Sequence, residues 1–269
     1  ASIAGAVSGG ARWKDRRVMS SGTAGDPRPA VIARRLANVR RVIAVSSGKG
    51  GVGKSLIAST LALIGASRGH RVGLFDLDFT GPSAHVILGA ETLYPEEEYG
   101  IVPPVVSGIR FMSIVHYLGD TVAPFRGTDI TNAVTELLAI TRWDSIDTLF
   151  IDMPPGLGDM TLDLIRLLPR AEYVAVTTPS RLAEPVVRRA VTLLREQDVP
   201  VIGLVVNLDR KSDSAPDTRV SFDGVPVIGR LPYDEEVERA IGVVDGITRT
   251  RFAYALTPVY ERLCPPVQA

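Results

Sequence analysis

The chain contains one cysteine, Cys264, in 269 residues. That excludes an internal disulfide and any all-cysteine metal site built within a single chain. Its three histidines, His70, His85 and His116, are scattered and show no metal-ligand spacing. Acidic and basic residues balance at 30 each, so no net charge advertises nucleic acid or an anionic membrane. No apolar run is long enough to span a bilayer. The opening ASIAGAVSGGARWKDRR lacks the apolar core of a secretory signal, and the expected compartment is the cytoplasm. Lysine is scarce too. Arginine writes nearly all the positive charge, and only 4 of the 30 basic residues are lysines.

Two of those lysines, Lys49 and Lys54, share one loop: Ser47-Gly48-Lys49-Gly50-Gly51-Val52-Gly53-Lys54-Ser55. A chain that otherwise prefers arginine uses lysine here for chemistry that a guanidinium does not supply. The pattern G-x-x-x-x-G-K-[ST] makes a loop whose backbone N–H groups wrap phosphate oxygens. Its lysine reaches the outer phosphates and its hydroxyl binds Mg²⁺. The loop therefore points to a bound nucleotide.

Around it, apolar runs alternate with helical segments. Residues 1–30, rich in Ala, Gly, Ser and Arg without periodicity, read as a tail, and Pro29–Ala37 as a short helix. Strands are expected at Arg41–Ser46, Arg71–Asp76, Ile109–Ile114, Thr148–Asp152, Tyr173–Thr177, Val199–Val206 and Val225–Ile228. Helices are expected at Lys54–Ser67, Ile130–Thr141, Asp159–Leu168, Leu182–Glu196, Glu235–Ile241 and Phe252–Cys264. Strands without polar alternation, separated by helices, imply an α/β fold: a mostly parallel central sheet with helices on both faces. Residues 31–269 then form one P-loop domain, with ligands at the loops after the strands.

Gly48, Gly50 and Gly53 also satisfy the dinucleotide fingerprint, with Asp76 near the ribose-binding position. That reading gives Lys54-Ser55 no role. It also ignores Leu149-Phe150-Ile151-Asp152, an apolar strand ending in the carboxylate that P-loop enzymes place beside Mg²⁺. A nicotinamide dehydrogenase would be revived only by NAD binding that survives Lys54→Ala.

Lys49 narrows the choice further. Gly-Lys-Gly-Gly-Val-Gly-Lys-Ser matches the deviant Walker A motif of the MinD, ParA and Mrp group. The rest of the chain resembles the Mrp family. Asp76-Leu77-Asp78-Phe79-Thr80-Gly81-Pro82-Ser83 resembles its D-x-D-x-x-GPS segment, and Phe125-Arg126-Gly127 its W-R-G element. Asp152-Met153-Pro154-Pro155-Gly156-Leu157-Gly158-Asp159 is similar to its DLPPGTGD loop, and Gly229-Arg230-Leu231-Pro232 to a turn near the base.

The resemblance implies a P-loop ATPase: a homodimer sandwiching two ATP molecules, with Lys49 crossing to the partner's nucleotide. Lys54 then contacts the β- and γ-phosphates and Ser55 coordinates Mg²⁺, with Asp76 and Asp152 in or near the metal's water shell. Asp78 is the candidate to orient the attacking water, and Gly156 to sense the γ-phosphate through its N–H. Arg126 is assigned either a partner contact or a salt bridge, and Asp159 a cap on the following helix. Asn207 ends an apolar strand, where its amide would read the adenine edge. A guanine site would want Asn-Lys-x-Asp, and the chain has Asn207-Leu208-Asp209-Arg210.

One family feature is missing. Many Mrp proteins carry Cys-x-x-Cys shortly after that asparagine, and two such pairs would supply the thiolates of a [4Fe–4S] cluster. Here Lys211–Thr218 holds no cysteine, and Cys264 reads as a buried or tail thiol. The leading expectation is an ATP-driven switch acting on a protein client in cluster or metalloenzyme assembly. The alternative is a positioning ATPase of the MinD or ParA kind at a membrane or DNA surface. Against it, Phe252, Leu256 and Val259 read as a core-packing helix interrupted by Pro258 rather than a membrane helix.

Overall fold

A computed structural model of the protein describes residues 26–118, 127–210 and 221–265. The chain enters through α1 (Arg28–Arg35), β1 (Val39–Ser47), the glycine-rich loop and α2 (Lys54–Ser67). β2 (Val72–Asp76) and the single turn α3 (Ala84–Ile87) follow. A small hairpin, β3 (Glu96–Glu97) with β4 (Ile101–Val102), precedes β5 (Val105–Val106), β6 (Ile109–Ser113) and α4 (Val115–Leu118). Next come α5 (Gly127–Ile140), β7 (Ile146–Asp152), α6 (Asp159–Leu167), β8 (Ala171–Thr177) and α7 (Glu184–Glu196). The chain closes with β9 (Val201–Asp209), β10 (Ser221–Phe222), β11 (Val225–Pro232), α8 (Glu235–Ala240), α9 (Val244–Ile247) and α10 (Arg251–Leu263).

Among the described residues the main sheet has nine strands, in the order β10-β11-β9-β8-β1-β7-β2-β6-β5. Its inner pairs are all parallel, and only the edge pairs β10–β11 and β5–β6 are antiparallel. β1 lies between β7 and β8, so the loop that leaves it emerges in the middle of the sheet edge. Ligands bind there in open parallel sheets.

Both faces of the sheet are buried. Ile43 and Val45 of β1 join a core under α2, α3, α8 and α10, while Val42 and Ala44 join another under α1, α5 and α6. Alternate side chains of one strand thus feed two cores, which is why the strands read as unbroken apolar runs. α2 is apolar nearly all round because it is packed nearly all round, from Ile57 to Gly65.

Several boundaries differ from expectation. α1 begins at Arg28, inside the stretch expected to be a tail, and Asp26 forms an ion pair with Arg28 just before it. Residues 1–25, the Arg126 element and Lys211–Thr218 lie outside the described residues. β9 runs on through Asn207 to Asp209 and β11 through to Pro232, because each supplies the other's backbone partners. Asp159 does not cap α6: Gly158 is the N-cap, and Asp159 is the first helical residue, acting on the positive helix end only as a charge. α10 continues through Pro258, which faces solvent, while Phe252, Leu256 and Val259 are buried. Among the described residues no helix is long and apolar enough to cross a membrane.

Candidate functional site

The loop between β1 and α2 lines a cleft of about 390 Å³ at the C-terminal edge of the sheet. Ser47, Lys49, Gly50, Gly51, Val52, Gly53, Lys54 and Ser55 form one wall, and Asp78 stands on the other. Gly51 and Gly53 have φ of +74° and +83°, left-handed conformations that glycine adopts without a Cβ penalty. Gly48 packs against α7, where a Cβ would come within 2.6 Å of Val186. The loop is tied at its start as well. The Ser47 hydroxyl donates to Lys49 O at 2.9 Å, and Gly156 N–H donates to Ser47 O at 2.9 Å.

The Gly156 N–H, assigned to γ-phosphate sensing, is engaged with the start of the loop in this arrangement. Asn207 and Pro232, assigned to the base, are not on the cleft wall; both are buried at the ends of β9 and β11. Sequence reasoning missed Ser83, Val86, Ile87 and Ile241, which also line the cleft. α3 and the α8–α9 turn bring them in, with Gly242 N–H donating to Ile87 O.

The charged centre lies under the loop. The Lys54 ammonium sits 2.6 Å from Asp152 Oδ1 and 3.1 Å from Asp78 Oδ2, and is only 5% exposed. Burial pulls its pKa down, but the carboxylates of Asp152 and Asp78 outweigh burial and hold it above the ordinary lysine value. Asp78 Oδ1 accepts from Thr80 N–H, the Thr80 hydroxyl and Gly81 N–H, so this carboxylate also shapes the turn.

Asp76 faces Asp152 across the β2–β7 register. It accepts from Asp78 N–H, Ala84 N–H and the Ser113 hydroxyl, the last a partner the motif did not reveal. Burial, then the nearby Asp152 charge, pushes its pKa up to about 7. Lys49, by contrast, is exposed, and its ammonium makes no ion pair among the described residues.

The donor set fits Mg²⁺. Asp152 Oδ2 is buried without a hydrogen-bond partner, and Ser55, the second residue of α2, lines the cleft. These are hard oxygen donors. Among the described residues no three His, Cys, Asp or Glu side chains are grouped to hold an ion alone. Magnesium tolerates this, since it keeps waters and takes phosphate oxygens. Cys264 is elsewhere. It is buried at the end of α10, 3.5 Å from the Thr148 hydroxyl, with burial raising the thiol pKa.

Residues 38–241 match the model of the ParA family described as NUBPL iron-transfer P-loop NTPase. An iron–sulfur cluster carrier protein of Pseudomonas fragi is 43% identical over 177 residues, covering 64% of this chain and 62% of the relative. One from Aquifex aeolicus is 37% identical over 225 residues, covering 78% and 62%. The matched region thus spans about 62% of the length of each relative. Among solved structures, a nucleotide-binding protein of Archaeoglobus fulgidus in complex with ADP superposes with a TM-score of 0.69 at 28% identity, covering 86% of this chain and 97% of that one. The cell division ATPase MinD of Pyrococcus furiosus superposes at 0.59 with 19% identity, covering 84% and 98%, a likeness of fold alone.

Proposed function

The chain belongs to the family of NUBPL-type iron-transfer P-loop NTPases, the Mrp branch of the MinD and ParA group, and from that premise we propose a Mg²⁺-dependent ATPase. It works as a dimeric switch in iron–sulfur cluster or metalloenzyme assembly. One observation carries the ATPase reading: a buried lysine held between Asp78 and Asp152 at the base of a glycine loop. A lysine so placed is a buried cation held in reserve by its own carboxylates, which a more highly charged anion can displace. A polyphosphate entering the cleft draws Lys54 off the carboxylates, while the loop N–H groups and the positive end of α2 receive its oxygens.

Mg²⁺, held by Ser55 with Asp152 and Asp76 behind its waters, would neutralise charge between the outer phosphates. Asp78, freed from Lys54, orients the attacking water. Lys49, exposed and without an acidic partner among the described residues, reaches the nucleotide of a second subunit and stabilises transition-state charge there. Residues 31–269 act as one such domain, with ATP favoured over GTP.

The cargo is handled through a protein partner. A [4Fe–4S] cluster wants four thiolates, whereas a dimer of this chain brings two buried Cys264 side chains. The relatives named iron–sulfur cluster carrier proteins support the assembly role, and the missing cysteine pair moves the cluster ligands to the client. Lys49→Ala is expected to bind ATP like the parent and to lose most of its multiple-turnover hydrolysis. Unchanged turnover would remove the lysine's role across the dimer. Anaerobic purification with iron and sulfide analysis should find no stoichiometric cluster on the chain alone; a full cluster would overturn the client reading.

A further inference from the structure

Asn207, expected to face the purine, lies behind the phosphate loop. It is 1% exposed and is not on the cleft wall. Its Nδ2 donates to Val52 O at 2.8 Å. A carbonyl only accepts, so this contact fixes which end of the amide faces the loop. A Cβ on Gly53 would lie 2.3 Å from that same Nδ2. Glycine at 53 therefore does two things: it takes the positive φ, and it lets the amide approach.

We propose that Asn207 is a positioning residue for phosphate binding, holding the Val52 carbonyl so that the Gly53 N–H points into the cleft. The physical basis is the planar trans peptide, whose C=O and N–H point in opposite directions. Val52 O and Gly53 N belong to one peptide unit. With the carbonyl drawn back onto Asn207, the N–H is turned toward the cleft that Val52 and Gly53 line. The buried Val52 side chain stops the unit from sliding. Ser47 anchors the start of the loop, and Asn207 is the matching anchor at its end. Lys54 follows directly, so the same anchor sets the first turn of α2.

Removing the amide leaves a buried carbonyl unpaired and frees the peptide to rotate. The proposed loss falls on the phosphates, which all three ligands share, and the test turns on that. The inference rests on the cleft taking a nucleotide. Calorimetric titration compares ATP, GTP and inorganic tripolyphosphate on the parent, Asn207→Ala, Asn207→Asp and Asn207→Ser. The alanine and aspartate variants are expected to weaken all three ligands by a common factor, about tenfold to a hundredfold. Serine keeps a donor and should recover part of it. Binding stoichiometry reports any misfolded fraction, so the affinity of the folded remainder stays readable.

A loss confined to ATP, with GTP and tripolyphosphate bound as by the parent, overturns the proposal and makes Asn207 a base reader. A parent that binds none of the three ligands removes the nucleotide reading itself, which is a separate and distinguishable failure.

Discussion

Replacing Asp78 with asparagine tests how the cleft is poised before a nucleotide arrives. Lys54 is shared by two carboxylates, 2.6 Å from Asp152 and 3.1 Å from Asp78. A phosphate that takes the ammonium must replace the Asp78 contact. It must also tolerate a carboxylate left beside its own negative charge. Asparagine keeps the Oδ1 acceptor that Thr80 and Gly81 use, so the turn is preserved. What it loses is the negative oxygen facing Lys54, now an NH₂ that repels the ammonium.

A hydrogen bond between charged groups contributes about 1.5–3 kcal/mol, and 1.4 kcal/mol is a factor of ten. Asp78→Asn should therefore tighten ATP and ADP binding by about tenfold to a hundredfold. Titration in EDTA keeps metal binding out of the measurement. Hydrolysis with Mg²⁺ restored should fall by about 10²–10⁴ if Asp78 also orients the water. Tighter binding with slower turnover is the signature. Affinity that is unchanged or weaker in EDTA refutes the competition between carboxylate and phosphate for Lys54.

Two further outcomes follow from burial. Asp76 has a folded pKa of about 7 against an ordinary 3.8, so between those pH values the folded chain holds a proton that the unfolded chain has released. Stability then falls as pH rises from about 4 to 7, by up to about 4 kcal/mol at 1.36 kcal/mol per pH unit. Thermal melts from pH 5 to 8 should show that slope in the parent and a shallower one in Asp76→Asn, because burial raises the Asp152 pKa as well; an equal slope in both proteins assigns it elsewhere. Gly73→Ala places a Cβ 2.8 Å from Ile146 and 2.9 Å from Leu149 and Trp143. Such overpacking costs about 1–3 kcal/mol and should lower Tm by roughly 2–12 °C, whereas an unchanged Tm in calorimetry would mean that this face of β2 has room.

The legible parts of the site were the local ones. Lys54 and Ser55 follow the last glycine of a contiguous motif, and Asp76 and Asp152 each end an apolar strand, so pattern alone located them. What pattern does not carry is direction. Gly156 N–H turns to Ser47 O and Asn207 to Val52 O through contacts set by strand order. Ser113 reaches Asp76 only because β6 lies beside β2. The core strands and long helices were visible for the same reason as the motif, since both their faces or one long face are apolar. The missed pieces, α3, α4, α9, β3 to β5 and β10, are two to four residues long. Their form comes from tertiary contact, such as Gly242 against Ile87, and leaves no periodicity to read.

The position of Cys264 bears on where a client would act. Its sulfur is 3.5 Å from Thr148, near the start of β7, while Asp152 at the end of β7 holds Lys54. Four residues of strand separate Thr148 from Asp152, roughly 13 Å at about 3.3 Å per residue. The thiol and the phosphate loop therefore sit toward opposite edges of the sheet, with the packed core between them. A cluster on Cys264 would feel ATP hydrolysis only through rigid strands. A client docked at the nucleotide edge would instead meet the Asp78 turn, α3 and Lys49 directly, the elements whose contacts a phosphate rearranges. Coupling between hydrolysis and cargo is shortest there, and that is the edge on which cross-linking with a cluster-bearing partner should place it. Cross-links concentrated around Cys264 instead would contradict that geometry.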